Sequence, residues 1–184
     1  MKALNIPYVK TFQQTKIIGV EHIDFGKYII LDDFTFIYTK EKMIIGDYVH
    51  IASFSSISGA GECIIEDLCA ISSGCRIFTS SDDFTQHGFG NSTICNTFRN
   101  LTTKPIHIKK FSIIGANSVI LPGVIIGEGV SVAANSVVSK NLAPWGIYLG
   151  NKRIGERKKS EIMKNYEKFL NLSEDEKMGS LFQK

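Results

Sequence analysis

Few side chains in these 184 residues are equipped to do chemistry. There are four histidines, His22, His50, His87 and His107, and one adjacent acidic pair in a polar stretch, Asp82-Asp83. Histidine is the side chain best matched to taking a proton near neutral pH, and a carboxylate beside it can fix its orientation. His22 reads as structural or exposed and His107 as a surface residue. His50 and His87 are candidates for a general base, each against the plain alternative of a solvated side chain. In an extended segment Asp82 and Asp83 point to opposite sides, so one can orient a histidine or bind a hydroxyl while the other stays in water. Arg76, Arg99 and Lys104 offer cations to an anionic acceptor. Lys140, Lys152, Arg153, Arg157, Lys158 and Lys159 form a later basic cluster able to meet phosphates, although the last three fit a solvated helix start. Cys63, Cys69, Cys75 and Cys95 form no CxxC pair, so no metal site is expected.

The elements that must position these groups follow from a period of six. From Ile108 onward the residues Ile108, Ile114, Ile120, Ile126, Val132 and Val138 are all β-branched aliphatics at that interval. Four places after the leading residue come Ser112, Ser118, Val124, Val130 and Ser136, which are small or β-branched. A helix repeats its apolar stripe at three and four, and a lone strand alternates at two. A strict six fits a short strand and a turn, repeated so that equivalent aliphatics stack into one core. Small residues at the turns suit tight corners. The phase also runs through Ile45, Ile51 and Ile57 and through Ile65, Ile71 and Ile77, with one register break of two residues between Ser58 and Ile64. Residues 17–36 keep the spacing only weakly and read as an irregular first coil or two. The expected architecture is all-β, with a segment 1–16 ahead of a repeat domain at 17–153, an inserted loop at 79–105, and a helix and tail at 154–184. His50 ends a hexad, which puts its ring outside the coil near a corner. Cys69 and Cys75 fall at small core positions and read as buried thiols.

The period vanishes over 79–105, where Ser, Thr, Asn, Asp and Gly dominate. A long excursion inside a compact domain is usually functional or disordered, and this one carries Asp82, Asp83, His87, Arg99 and Lys104. Beyond Lys140, Ile162, Tyr166, Phe169 and Leu170 recur at helical spacing, as in a helix that caps the coil or reaches a neighbour. A net charge of +3 argues against nucleic acid as a partner. No apolar run is long enough to span a bilayer and Met1 to Lys16 has no signal-like apolar core, so the cytoplasm is the expected compartment.

The stretch Ile113-Ile114-Gly115-Ala116-Asn117-Ser118-Val119-Ile120-Leu121-Pro122-Gly123-Val124-Ile125-Ile126-Gly127, with Ala134-Asn135-Ser136-Val137-Val138-Ser139-Lys140, resembles the hexapeptide-repeat acyltransferases. Val49-His50-Ile51-Ala52, Phe78-Thr79-Ser80-Ser81-Asp82-Asp83-Phe84 and Trp145-Gly146-Ile147-Tyr148 are most similar to the bacterial sugar O- and N-acetyltransferases of surface-polysaccharide assembly. The resemblance implies a left-handed parallel β-helix, a homotrimer, acetyl-CoA as donor and a sugar or nucleotide-sugar as acceptor. It implies coenzyme A along Ala116, Ala134, Ser136, Lys140, Lys152 and Arg153. His50, His87 and Asp82 are the expected catalytic groups, and Asp83, Arg99 and Arg76 the expected acceptor contacts. Two departures stand out. Gly150-Asn151-Lys152 lacks the proline that many relatives carry there, and Asp82 stands where galactoside acetyltransferases place their catalytic histidine. The competing readings are acetylation of serine or an antibiotic, and a non-catalytic or carbonic-anhydrase-like β-helix. The trimer is also expected because Phe54, Phe78 and Phe111 fall at non-core positions that need cover.

Overall fold

A computed structural model describes residues 5–182; residues 1–4 and 183–184, parts of the expected leading segment and tail, lie outside the described residues. The chain winds as a left-handed β-helix of about seven turns. Its three faces are sheets of eight, six and five strands. Within each face, successive coils pair in parallel, and the aliphatics stack in register. Ile17, Ile37, Ile57 and Ile77 form one column. Phe25, Ile45, Ile65 and Ile108 form a second, and Leu31, Ile51, Ile71, Ile114 and Val132 a third. These columns are the core, with Ile37, Ile45, Ile65, Ile77 and Ile108 fully buried.

The early coils are regular, contrary to the expectation for residues 17–36. They take twenty residues instead of eighteen, as the pairing of Ile17 with Ile37 and Ile37 with Ile57 requires. The two extra residues enter at the same corner each time, so the break near Ser58 is one of three. Phe25 and Leu31 lead the early hexads, while Ile23 and Ile29 are the second inward residues of theirs. The excursion leaves from this same corner, between Ile77 and Ile108. A corner can bulge outward without disturbing the faces, so insertions collect there. The winding also starts ahead of Ile17, since Val9–Thr11 pairs in parallel with Ile29–Leu31.

The other two corners bear out the expectation of small residues only at Gly74, Asn117, Asn135 and Gly129. Tyr8, Tyr28, Tyr48, Leu68, Phe111 and Trp145 all have positive φ on one of them, and Phe34 and Phe54 do on the other. The backbone cause is clear on the first. The N–H of Tyr48, Leu68, Phe111, Gly129 and Trp145 donates to a carbonyl of the preceding coil, on Lys27, Asp47, Asp67, Lys110 and Glu128 respectively. Aromatic rings compensate the left-handed backbone by stacking between coils: Tyr28 lies 5.0 Å from Tyr48, and Phe34 5.0 Å from Phe54. Gly129 interrupts the column because a Cβ there would sit 2.4 Å from the Trp145 ring.

The last coil is closed by a hairpin. Lys152–Glu156 runs antiparallel to Gly146–Leu149 and covers the open edge that the helix was expected to cap. The helix, Lys159–Leu170, lies along the aromatic corner instead. Tyr166 packs edge-on to Phe111 and accepts from Lys110 Nζ at 2.7 Å, and Phe169 packs edge-on to Tyr48. Phe111 is thereby buried by its own chain, which removes it from the residues that need a partner's cover. Arg157 also turns inward, donating to the carbonyls of Phe111 and Gly129. Its burial lowers its pKa. Cys63, Cys69 and Cys75 are buried, and desolvation pushes the thiols of Cys63 and Cys69 up to about 12.

Candidate functional site

The excursion is tied down at its root and along its stem. Ser80–Ser81 pairs antiparallel with Thr102–Thr103, and Ser80 Oγ lies 2.9 Å from Thr103 Oγ1. The next two residues are both acids and both organise the loop. Asp82 accepts two hydrogen bonds from Arg99, from Nε at 3.0 Å and from Nη2 at 3.2 Å. Asp83 accepts from the backbone N–H of Thr85, Gln86 and Gly88 and from Asn100 Nδ2, all within 3.0 Å. The Asn100 amide and these backbone donors hold the Asp83 carboxyl well below the usual carboxylate range.

Two chambers open where the excursion meets the later coils. One, of about 300 Å³, is lined by Ser81, Asp82, Asp83, Phe84, Thr85, Gln86, Asn100 and Thr102 of the loop and by Leu121, Pro122 and Ser139 of the coils. The other, also about 300 Å³, shares Ser81, Asp82, Phe84 and Leu121 and adds Phe78, Ser80 and Gly90. A cleft of about 340 Å³ beneath the helix, between Leu68, Phe111, Ile113 and Phe169, has neither carboxylate nor histidine in its lining. The chambers at Asp82 are therefore the better-equipped site.

The other expected site residues are spread over the prism. His50 projects from the eight-stranded face, and its Nε2 lies 3.1 Å from Asp32 Oδ2 one coil below. Within one chain His50 thus sits on the eight-stranded face, and Asp82 in the excursion that leaves from the corner between the other two. His87 is exposed in the excursion. Arg76 is engaged locally, with Nη1 donating to the carbonyls of Phe54, Gly74 and Cys75. Ala116 and Ala134 follow the eight-stranded face at one corner, and Ala134 is exposed. Ser136 faces inward: it is buried, and its Oγ accepts from Gly150 N–H at 3.0 Å. Lys140 is exposed, and its N–H, with that of Ser139, donates to Asn151 Oδ1. Lys152 and Arg153 lie on the closing strand, where Arg153 meets Glu156 at 2.7 Å. Among the described residues, no group of three metal-ligating side chains is present and no helix is long and apolar enough to cross a membrane.

The sequence reading missed Asn100, Leu121 and Ser139 as site residues and Asp32 as the partner of His50. A twenty-residue coil would have found Asp32, because it places Ile30 to Asp32 beside His50 to Ala52. The loop contacts had no such signal.

Comparison with known proteins bears on this geometry. Residues 105–140 match the model of the family "Bacterial transferase hexapeptide (six repeats)". The chain is 34% identical over 154 residues to a dTDP-4-amino-4,6-dideoxy-D-glucose acyltransferase of Escherichia coli, covering 82% of this chain and 80% of that one. The chain belongs to the hexapeptide-repeat acyltransferases. Solved hexapeptide-repeat structures agree. The N-acyltransferase AntD of Bacillus cereus, in complex with dTDP and 3-hydroxybutyryl-CoA, superposes with a TM-score of 0.82 at 34% identity over 89% of both chains. A variant of AntD with dTDP-4-amino-4,6-dideoxyglucose and coenzyme A gives 0.84 at 32% identity, over 90% of this chain and 89% of that one. This chain is accordingly an acyltransferase.

Proposed function

We propose that this acyltransferase moves an acyl group from a coenzyme A thioester to the amino group of a nucleotide-linked sugar, in the assembly of a surface polysaccharide. The observation that carries the amine acceptor is the composition of the site. The chambers between the excursion and the later coils hold the carboxylates of Asp82 and Asp83 and no histidine. A neutral sugar amine is already nucleophilic and needs only a group to take its proton; a hydroxyl needs a stronger base. The E. coli relative acts on an amino-sugar nucleotide by name, and AntD was solved with one.

In this reading the amine nitrogen attacks the thioester carbonyl. The C–N bond forms and the C–S bond breaks. Asp82 accepts the proton released by nitrogen, and the proton passes on to the departing thiolate. Arg99 occupies two of the carboxylate's roughly four acceptor sites, which holds Asp82 in place and leaves the others for the amine. Coenzyme A lies along the corner of Ala116 and Ala134, where small side chains leave backbone amides accessible, with Lys140, Lys152 and Arg153 toward its phosphates. Arg76 and Asp83 act mainly through the frame around the acceptor. Three copies assemble about a three-fold axis, which sets the neighbour's His50 and this chain's His87 at the rim of the site, outside the two chambers. Donor and acceptor are both metabolites of the cytoplasm, where we place the enzyme.

The His50–Asp32 pair favours a second reading. An oriented imidazole suits a hydroxyl acceptor, and an E. coli relative, WbbJ, is named as a lipopolysaccharide O-acetyl transferase. Steady-state turnover of dTDP-4-amino-4,6-dideoxyglucose by Asp82→Asn, His50→Ala and His87→Ala, each checked for folding, separates the two. Removing a base costs about 10²–10⁴ in rate. A loss of that size confined to Asp82→Asn supports the amine reading, and one at His50→Ala moves the base to the histidine. Near-normal turnover in all three overturns the site.

A further inference from the structure

We infer that the apolar chamber beside Asp82 binds the acyl chain, so that the preferred donor carries a saturated chain of about four to six carbons. The inference rests on the acyltransfer reading above and names the donor class for the same site.

The two chambers meet at Asp82 and differ in character. Phe84 and Leu121 wall both, but the first adds the Asp83 carboxylate and the side chains of Thr85, Gln86, Asn100, Thr102 and Ser139, whereas the second adds Phe78 and keeps only Ser80, Ser81 and Asp82 as polar lining. Phe78 and Leu121 are part of the regular coils, one ending the strand Arg76–Phe78 and the other following Val119–Ile120. Those walls are therefore fixed by the stacked core and not by the loop. Gly90 completes the lining, and its positive φ disfavours a side chain there.

The chamber's serine hydroxyls are already satisfied, and Asp82 keeps its open acceptor sites for the amine. Ser80 Oγ lies 2.9 Å from Thr103 Oγ1 and accepts from Ala60 N–H, and Ser81 Oγ donates to the Asp82 carbonyl. Arg99 holds the Asp82 carboxylate. A polar ligand would find few unmet partners there, whereas an alkyl chain would remove three apolar walls from water. Size points the same way. An acetyl methyl group is comparable to a water molecule, whose share of liquid volume is ~30 Å³, and the chamber is about ten times that, at about 300 Å³. Transfer keeps the same balance at any length: the acyl carbon leaves sulfur for nitrogen, and the alkyl chain takes no part.

The test is calorimetric titration of the full chain with coenzyme A, acetyl-CoA, butyryl-CoA and hexanoyl-CoA, which needs no acceptor. Each buried methylene is worth roughly fourfold in affinity, so butyryl-CoA, with two more, is expected to bind about fifteenfold more tightly than acetyl-CoA. In Leu121→Trp, which fills the chamber, the ratio should fall to about one. Acetyl-CoA binding as tightly as butyryl-CoA, or an unchanged ratio in folded Leu121→Trp, overturns the chamber assignment and leaves acyltransfer standing. Failure of every one of these compounds to bind overturns the donor reading along with it. Should Leu121→Trp not fold, the wild-type series decides alone.

Discussion

Asp83 makes all its contacts inside one loop. Because hydrogen bonds hold its carboxyl below the usual range, the ionised form is favoured in the folded excursion. The stabilisation is complete above the ordinary aspartate pKa of about 3.9, and is lost only as pH falls through the depressed folded value. Protection of the Thr85, Gln86 and Gly88 amides against hydrogen exchange should therefore persist at pH 4. Asp83→Asn should lose it even at pH 7, because the new amide replaces one acceptor by a donor facing N–H groups. Equal protection factors in the two proteins at pH 7 would show that Asp83 does not organise the loop. At this scale the sequence was partly legible. Asp82, Asp83 and Arg99 were visible as a polar cluster in an aperiodic stretch. Their pairing was not, because which acid meets which donor depends on how residues 82–101 fold back, and no period constrains them.

The coils were far more legible, because a stacked aliphatic must recur wherever the chain completes a side. What remained hidden was the corner chemistry. Corner residues face outward, so their types are free of the core, and the aromatics at positive φ obey stacking instead of size. Tyr48 illustrates the balance. Its φ is 57°, and its ring stacks on Tyr28 and meets Phe169 edge-on. A left-handed conformation costs an L-residue roughly 1–2 kcal/mol, which glycine escapes. Tyr48→Ala should lose the ring contacts and keep the strain, while Tyr48→Gly should lose the contacts and shed the strain. The glycine variant is expected to be the more stable of the two by about 1 kcal/mol, read by urea unfolding. An alanine variant as stable as the glycine one would remove strain from the account of this corner. Burial also raises the Tyr48 hydroxyl pKa, so its ring is no solvated corner decoration.

At the scale of the whole molecule, the exposed phenylalanines among the described residues lie on two different edges. Between the eight- and six-stranded faces, Phe34 and Phe54 stack in parallel with 53% and 59% of their surfaces open to water. On the excursion, Phe84 is 89% exposed and Phe89 70%. Monomers seldom leave such patches bare. Two unlike edges joined by a rotation make a heterologous contact, which closes into a ring when the rotation divides the circle. The proposed three-fold ring would set the excursion of each copy against the phenylalanine edge of the next. It would also bring the neighbour's His50, which lies on the face adjoining that edge, toward Asp82. Phe54→Asp places a charge in that contact while sparing the core, and aspartate tolerates the left-handed backbone at this position better than most residues. Light scattering should give three times 20.4 kDa for the wild type and 20.4 kDa for the variant, with unchanged circular dichroism. A folded variant that keeps the wild-type mass would place the contact on another edge, and a wild type of monomer mass would end the three-fold arrangement itself.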